Sequence, residues 1–155
     1  MLSTLLGQIW RYLPTVVRLQ VSRFSQTLFT VSVAAMLFDD EHQILLLEHL
    51  FRADNGWGVP GGFVTGGEEP EEALRRELRE EVSIELDDVN LLFVRTLGNK
   101  QVEIYYRARV IGVPKPSSIE IKQARWFDLD ALPAELSRDQ RRLVQRALAL
   151  GEKSQ

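Results

Sequence analysis

The chain has 155 residues, 45% of them hydrophobic and 26% charged, with no cysteine. This length and balance fit one folded domain and exclude a disordered chain, while the missing cysteine excludes disulfides, thiolate metal sites and iron–sulfur clusters. A net charge of −3 lacks the basic footprint of a nucleic-acid binder, so no DNA partner is expected, and no apolar run is long enough for a membrane-spanning helix. A reducing cytoplasm is the expected compartment.

Residues 1–38 hold Arg11, Arg18 and Arg23 and no acid, so the acidic excess lies entirely downstream. Leu2, Leu5, Leu6, Ile9 and Leu13 recur at helical spacing up to Pro14, and a second, less regular apolar stretch follows. Residues 1–28 are therefore read as a helical appendage. Three roles compete for it: packing on the domain or across a homodimer, a basic anchor at a membrane surface, and a targeting peptide. The last lacks an apolar region with a small-residue cleavage site.

Residues 29–155 form the second unit. Strands are expected at Phe29–Leu37, Gln43–Phe51 and Trp57–Val64, the last broken by Pro60, Gly61 and Gly62. A helix should run from Pro70 to Val82, followed by strands at Asn90–Leu97, Val102–Ile111 and Ile119–Asp128. A closing helix is expected over Ser137–Leu150, with Ser137 as N-cap and Gly151 as stop. In the strand from Val102, Glu103, Tyr105 and Arg107 share the face opposite Val102, Ile104 and Tyr106. Tyr105 and Arg107 are thereby candidates to line a substrate cleft. The fold class is α/β.

The chemistry concentrates in Gly61–Ile84. Four glycines in seven residues, Gly61, Gly62, Gly66 and Gly67, mark a loop that lets a ligand approach the main chain. On the helix that follows, a 100° turn per residue places Glu77, Glu80 and Glu81 within an arc of roughly 100°. Like charges so spaced repel one another, and the apolar stripe Leu74, Leu78, Val82 lies beside them. Hard carboxylate oxygens at the edge of a core suit Mg²⁺ or Mn²⁺. The competing reading is a solvated helix face in which Arg75, Arg76 and Arg79 supply the partners.

The series Gly62-x5-Glu68-x7-Arg76-Glu77-Leu78-x-Glu80-Glu81-x-Ser83-Ile84 resembles the signature box of the Nudix hydrolases, agreeing at eight of nine defined positions. The departure is Ser83, where the family has glycine. Altered local geometry at the helix end is expected, without loss of activity. The likeness extends over Phe29–Leu150, through the Trp57-x-x-Pro60-Gly61-Gly62 approach and the late Ala124-Arg125-Trp126-Phe127 strand.

The resemblance implies an α/β/α sandwich around a mixed sheet, and metal-dependent hydrolysis of a nucleoside diphosphate linked to another moiety. It implies that Glu77, Glu80 and Glu81 bind Mg²⁺, or Mn²⁺ in its place, with the Gly61 carbonyl as a further ligand. Arg76 and Glu68 resemble the pair that braces loop against helix, and Gly62 opens the box. The general base would be a box glutamate such as Glu77 or Glu80, or Glu120, which matches a late glutamate used by some members. Gln123 replaces another acid common among relatives. His42 and His49 are read as too isolated to be ligands, Trp57 and Trp126 as core packing, and Arg141, Arg142 and Arg146 as a solvated face. The rival function is a Nudix-fold module that binds a nucleotide without turnover, which loss of box glutamates would favour; none is lost.

Overall fold

A computed structural model describes residues 10–18, 20, 28–51 and 56–151. Of the appendage, residues 10–12 and 15–18 are helical on either side of Pro14, and the rest of that expectation falls largely outside the described residues. No helix among the described residues is long and apolar enough to cross a membrane.

The domain contains strands β1 (Thr30–Leu37), β2 (Ile44–His49), β3 (Trp57–Gly58) and β4 (Gly61–Phe63), then helix α1 (Pro70–Val82). Strands β5 (Glu85–Leu97), β6 (Gln101–Ile111) and β7 (Ile121–Phe127) follow, then helix α2 (Arg138–Gly151). They form a four-stranded sheet in the order β4-β1-β6-β5 and a three-stranded sheet in the order β3-β2-β7. The larger sheet is mixed: β1 runs parallel to β6 and antiparallel to β4.

Alternation along β1 and β2 sends side chains to both faces. Val33, Ala35, Leu37, Leu45 and Leu47 pack with Ala73, Leu74, Leu78 and Val82 of α1. Met36, Ile44 and Leu46 join Leu143, Val144 and Ala147 of α2 in a second core. Two cores on opposite faces make a three-layer α/β/α sandwich. Trp57 meets Phe127 edge-on at 4.9 Å between ring centres, and Trp126 packs against the first core, so both tryptophans are packing residues.

Element ends follow local chemistry. Pro60 has no N–H to give a ladder, yet its carbonyl accepts from the Ala35 N–H at 2.9 Å, which splits the expected third strand into β3 and β4. Strand β5 begins at Glu85, ahead of the expected Asn90, because the polar Asp87–Asp88 stretch is absorbed in a register shift where Asp88 takes φ 51°. Pro70 occupies the first turn of α1, as expected, and the Glu69 N–H donates to the Glu72 carboxylate at 3.4 Å. At α2 the Ser137 hydroxyl accepts the Gln140 N–H at 3.2 Å, a side-chain cap.

Candidate active site

Two adjacent glycines face opposite ways at the edge strand β4. Gly61 has φ 150°, and a β-carbon there would lie 2.1 Å from the Val33 carbonyl oxygen, inside the β1 backbone. At Gly62 a β-carbon would lie 2.2 Å from the carboxyl carbon of Glu77. Only glycine lets the main chain of β4 and the Glu77 carboxylate sit in direct contact.

Helix α1 brings its acids to that strand. Glu81 is 8% exposed, while the Glu80 side chain is 62% exposed. Arg76 organises the approach: Nε and Nη2 form a fork on Glu68 at 2.9 and 3.1 Å, Nη2 also donates to the Phe63 carbonyl at 3.1 Å, and Nη1 donates to Glu77 at 2.9 Å. Glu80 is 3.5 Å from the same Nη1. One guanidinium thus ties the glycine-rich loop, strand β4 and the acidic face of α1 together. The Arg76 fork, with the Thr65 hydroxyl at 2.8 Å, holds the Glu68 carboxyl down at about 2.

The far end of α1 is also fixed. Ser83 adopts the left-handed conformation, φ 55° and ψ 38°, and its N–H donates to the Arg79 carbonyl at 3.1 Å. The serine therefore takes the backbone conformation a glycine would have taken, in place of the altered geometry expected from sequence. The carbonyls of Glu80, Glu81 and Val82 are accepted partners of Ser117 Oγ, Ser117 N–H and Lys115 N–H at 2.8, 2.9 and 3.0 Å. Nothing in the local sequence announced this strap, which joins residues more than thirty positions apart.

His49 looks isolated in the sequence, yet its Nδ1 lies 3.9 Å from Glu81 Oε1. It is carried there by a register irregularity at Glu48/His49 near the end of β2. The neighbouring Leu50 N–H donates to the Glu120 carbonyl at 2.8 Å, so Glu120 joins the chain beside His49. The Glu120 side chain is exposed.

The family model described as NUDIX domain matches residues 28–147. The chain belongs to the Nudix family. It is 31% identical over 109 residues to the human 8-oxo-dGDP phosphatase NUDT18, covering 67% of this chain and 34% of that protein. It is 30% identical over 114 residues to an ADP-ribose pyrophosphatase of Methanocaldococcus jannaschii, covering 70% and 67% respectively. A crystal structure of a MutT Nudix hydrolase from Burkholderia pseudomallei superposes with a TM-score of 0.68 at 31% identity, covering 76% of this chain and 96% of that one. The match spans about a third of the length of the vertebrate NUDT18 proteins.

Behind the Nudix glycines, on the α2 side of the large sheet, lies a hollow of about 130 Å³. Strand register explains its lining. Phe63, Ser32, Glu103 and Arg95 form one row across the four strands, and Gly61, Ala34, Tyr105 and Phe93 form the next. Helix α2 covers the far part of these rows: Asp139 forks with Arg95 at 2.9 and 2.6 Å, and Arg146 stands 4.0 Å over the Phe93 ring. Arg146 thus has a packing partner, and Arg141 donates to the Leu136 carbonyl, so these two are not a bare solvated face.

Tyr105 lines this hollow, stacks on Phe93 at 4.7 Å and donates its hydroxyl to Glu103 at 3.0 Å. Burial and the Glu103 charge both push its phenol upward. Arg107 shares the strand face, as alternation implies, but stands two residues farther along β6. There it lies over Phe38 at 5.6 Å and beside Gly151, in a separate hollow with His42 and Leu148. The structure brings Tyr105 to the glycines and takes Arg107 under the end of α2.

The residues fit a divalent cation by their donor chemistry and by the Gly62 cradle. Among the described residues, no three His, Asp or Glu side chains are already gathered round one point. Glu77 instead holds Arg76, and Glu81 faces His49.

Proposed function

We propose that this chain hydrolyses a diphosphate linkage in a nucleoside diphosphate joined to another moiety, as a metal-dependent Nudix hydrolase. The observation that carries the reading is the contact of Glu77 with the Gly62 main chain, on the helix face that also bears Glu80 and Glu81. Both named relatives act, by their names, on nucleoside diphosphate compounds.

In this reading Glu77, Glu80, Glu81 and the Gly61 carbonyl hold Mg²⁺, with Mn²⁺ able to replace it. When bound there, such a cation would neutralise the diphosphate charge and acidify water. The chain's own residues do the rest. Arg76 fixes Glu77 and, through Glu68 and the Phe63 carbonyl, holds the loop at its distance from α1. Glu120, or a box glutamate, accepts the proton of the attacking water. The hollow behind Gly61 takes the organic end of the substrate, and β4 is the edge strand round which the substrate passes from hollow to carboxylates. A cytoplasmic location and a homodimer formed through residues 1–28 belong to the same proposal.

The test is a panel of nucleoside triphosphates, ADP-ribose, nucleotide sugars, dinucleoside polyphosphates and capped RNA, assayed with Mg²⁺, Mn²⁺ and EDTA. Cleavage of at least one diphosphate linkage, abolished by EDTA, is expected. Binding of nucleotides without cleavage of any would establish the non-catalytic module instead.

A further inference from the structure

The floor of the hollow has a hydrogen-bonding polarity set by its own partners. Glu103 Oε2 accepts from Arg95 Nε and from the Tyr105 hydroxyl, and Oε1 accepts from Gln101 Nε2 at 3.3 Å. A carboxylate can only accept here, so Gln101 must turn its amide nitrogen to it; that nitrogen also reaches Ser32 Oγ at 3.0 Å. The amide oxygen of Gln101 is thereby left as an acceptor, beside the remaining lone pair on Glu103 Oε1. In the same lining, Gln140 uses its oxygen on the Val59 N–H at 3.2 Å, which leaves its amide hydrogens as donors. The same reasoning fixes both amides, because a main-chain N–H can only donate.

Charge narrows the occupant further. Arg95 sits between two carboxylates, Glu103 and Asp139; these three groups together carry one net negative charge, and Glu103, the one that lines the hollow, disfavours a phosphate there. At the mouth Phe63 is 58% exposed and lines the hollow, a flat apolar surface with room for a ring.

We infer that this hollow is the base-reading subsite, and that Glu103 and Gln101 select a nucleobase edge with two adjacent N–H donors, as guanine has at N1 and N2. This rests on the reading of the chain as a hydrolase of nucleoside diphosphate compounds. Gln140 faces the edge's carbonyl, Phe63 stacks on the ring, and Arg95, held by Asp139, is a positioning residue for Glu103. Adenine presents an acceptor where the floor needs a donor, and hypoxanthine lacks the second donor.

The experiment is equilibrium binding of GMP, IMP, the 2-aminopurine ribonucleotide and AMP to the full chain with Mg²⁺, by calorimetry. GMP should bind about tenfold tighter than IMP or the 2-aminopurine nucleotide, each one donor short, and about a hundredfold tighter than AMP. In Glu103→Gln the Arg95 and Tyr105 donors keep the amide oxygen in place, so the nitrogen turns to the cavity and the preference for GMP over AMP falls at least tenfold. Gln101→Leu, at a half-exposed position, makes the same test should Glu103→Gln melt early. Equal affinities across the series, absent binding, or a ladder unchanged in both variants would overturn the inference. An intact ladder without hydrolysis of any diphosphate refutes the proposed activity and leaves this subsite standing; hydrolysis with no base preference does the reverse.

Discussion

Gly61 and Gly62 are consecutive and look equivalent in sequence, yet they meet different neighbours. At Gly62 the atoms in the way belong to the end of the Glu77 side chain, which can swing aside. Gly62→Ala should therefore keep the melting temperature nearly unchanged while turnover falls by at least tenfold, because the carboxylate is displaced. At Gly61 the obstruction is the Val33 carbonyl and the Ala34 α-carbon, both backbone, so Gly61→Ala should lower the melting temperature itself. Thermal melts beside initial rates on both variants check this pair. Glu68 yields a different signature. Its carboxyl lies at about 2 in the folded protein against an ordinary 4.5, so its contribution is complete above 4.5 and is lost as pH falls towards 2. Urea unfolding at a series of pH values should show wild-type stability declining more steeply over that window than Glu68→Gln; equal slopes would mean the Arg76 clamp adds nothing.

Helix α1 was legible from end to end, because its signals are local: Pro70 at the start, acids in the first turn and an apolar stripe at four-residue spacing. Its last residue carries a hidden cost. Ser83 in the left-handed region is strained relative to glycine by about 1 kcal/mol. Ser83→Gly should thus raise stability by up to about that amount, a rise of about 2–4 °C in melting temperature for a domain of this size. A fall would show that the serine hydroxyl or the strap from 115–117 compensates. The strands were legible in place, six expected against seven found because Pro60 splits the third, and less so in partnership. Splitting of seven strands into two sheets depends on pairings such as β1 with β6, 71 residues apart, which no local pattern encodes. His49 illustrates the same limit: a lone histidine in a sequence, delivered to Glu81 by an irregular strand end.

Across the whole molecule, the proposed function divides between the two faces of one sheet. The acidic helix packs on one face and the hollow opens on the other, with β4 as the shared edge. Sequence alternation correctly put Glu103, Tyr105 and Arg107 on a common face, and only the crossing of α2 separates Arg107 from the other two. The hollow's floor was not legible, since it needs Arg95 of β5, Glu103 of β6 and Asp139 of α2 at once. Glu120→Gln should slow turnover while leaving binding of the first cation nearly intact; a collapse of cation affinity in Mn²⁺ titrations would make Glu120 a ligand and not the base. The central claim is that the carboxylates of α1 hold the cation that serves hydrolysis. Its most direct test is turnover of Glu81→Gln against wild type at saturating Mg²⁺, on whichever diphosphate the panel shows to be cleaved. Loss of metal-assisted charge stabilisation should lower the rate by roughly 10³-fold or more, with the fold retained by circular dichroism. Near-full activity in that variant would contradict the account and place the chemistry elsewhere in the molecule.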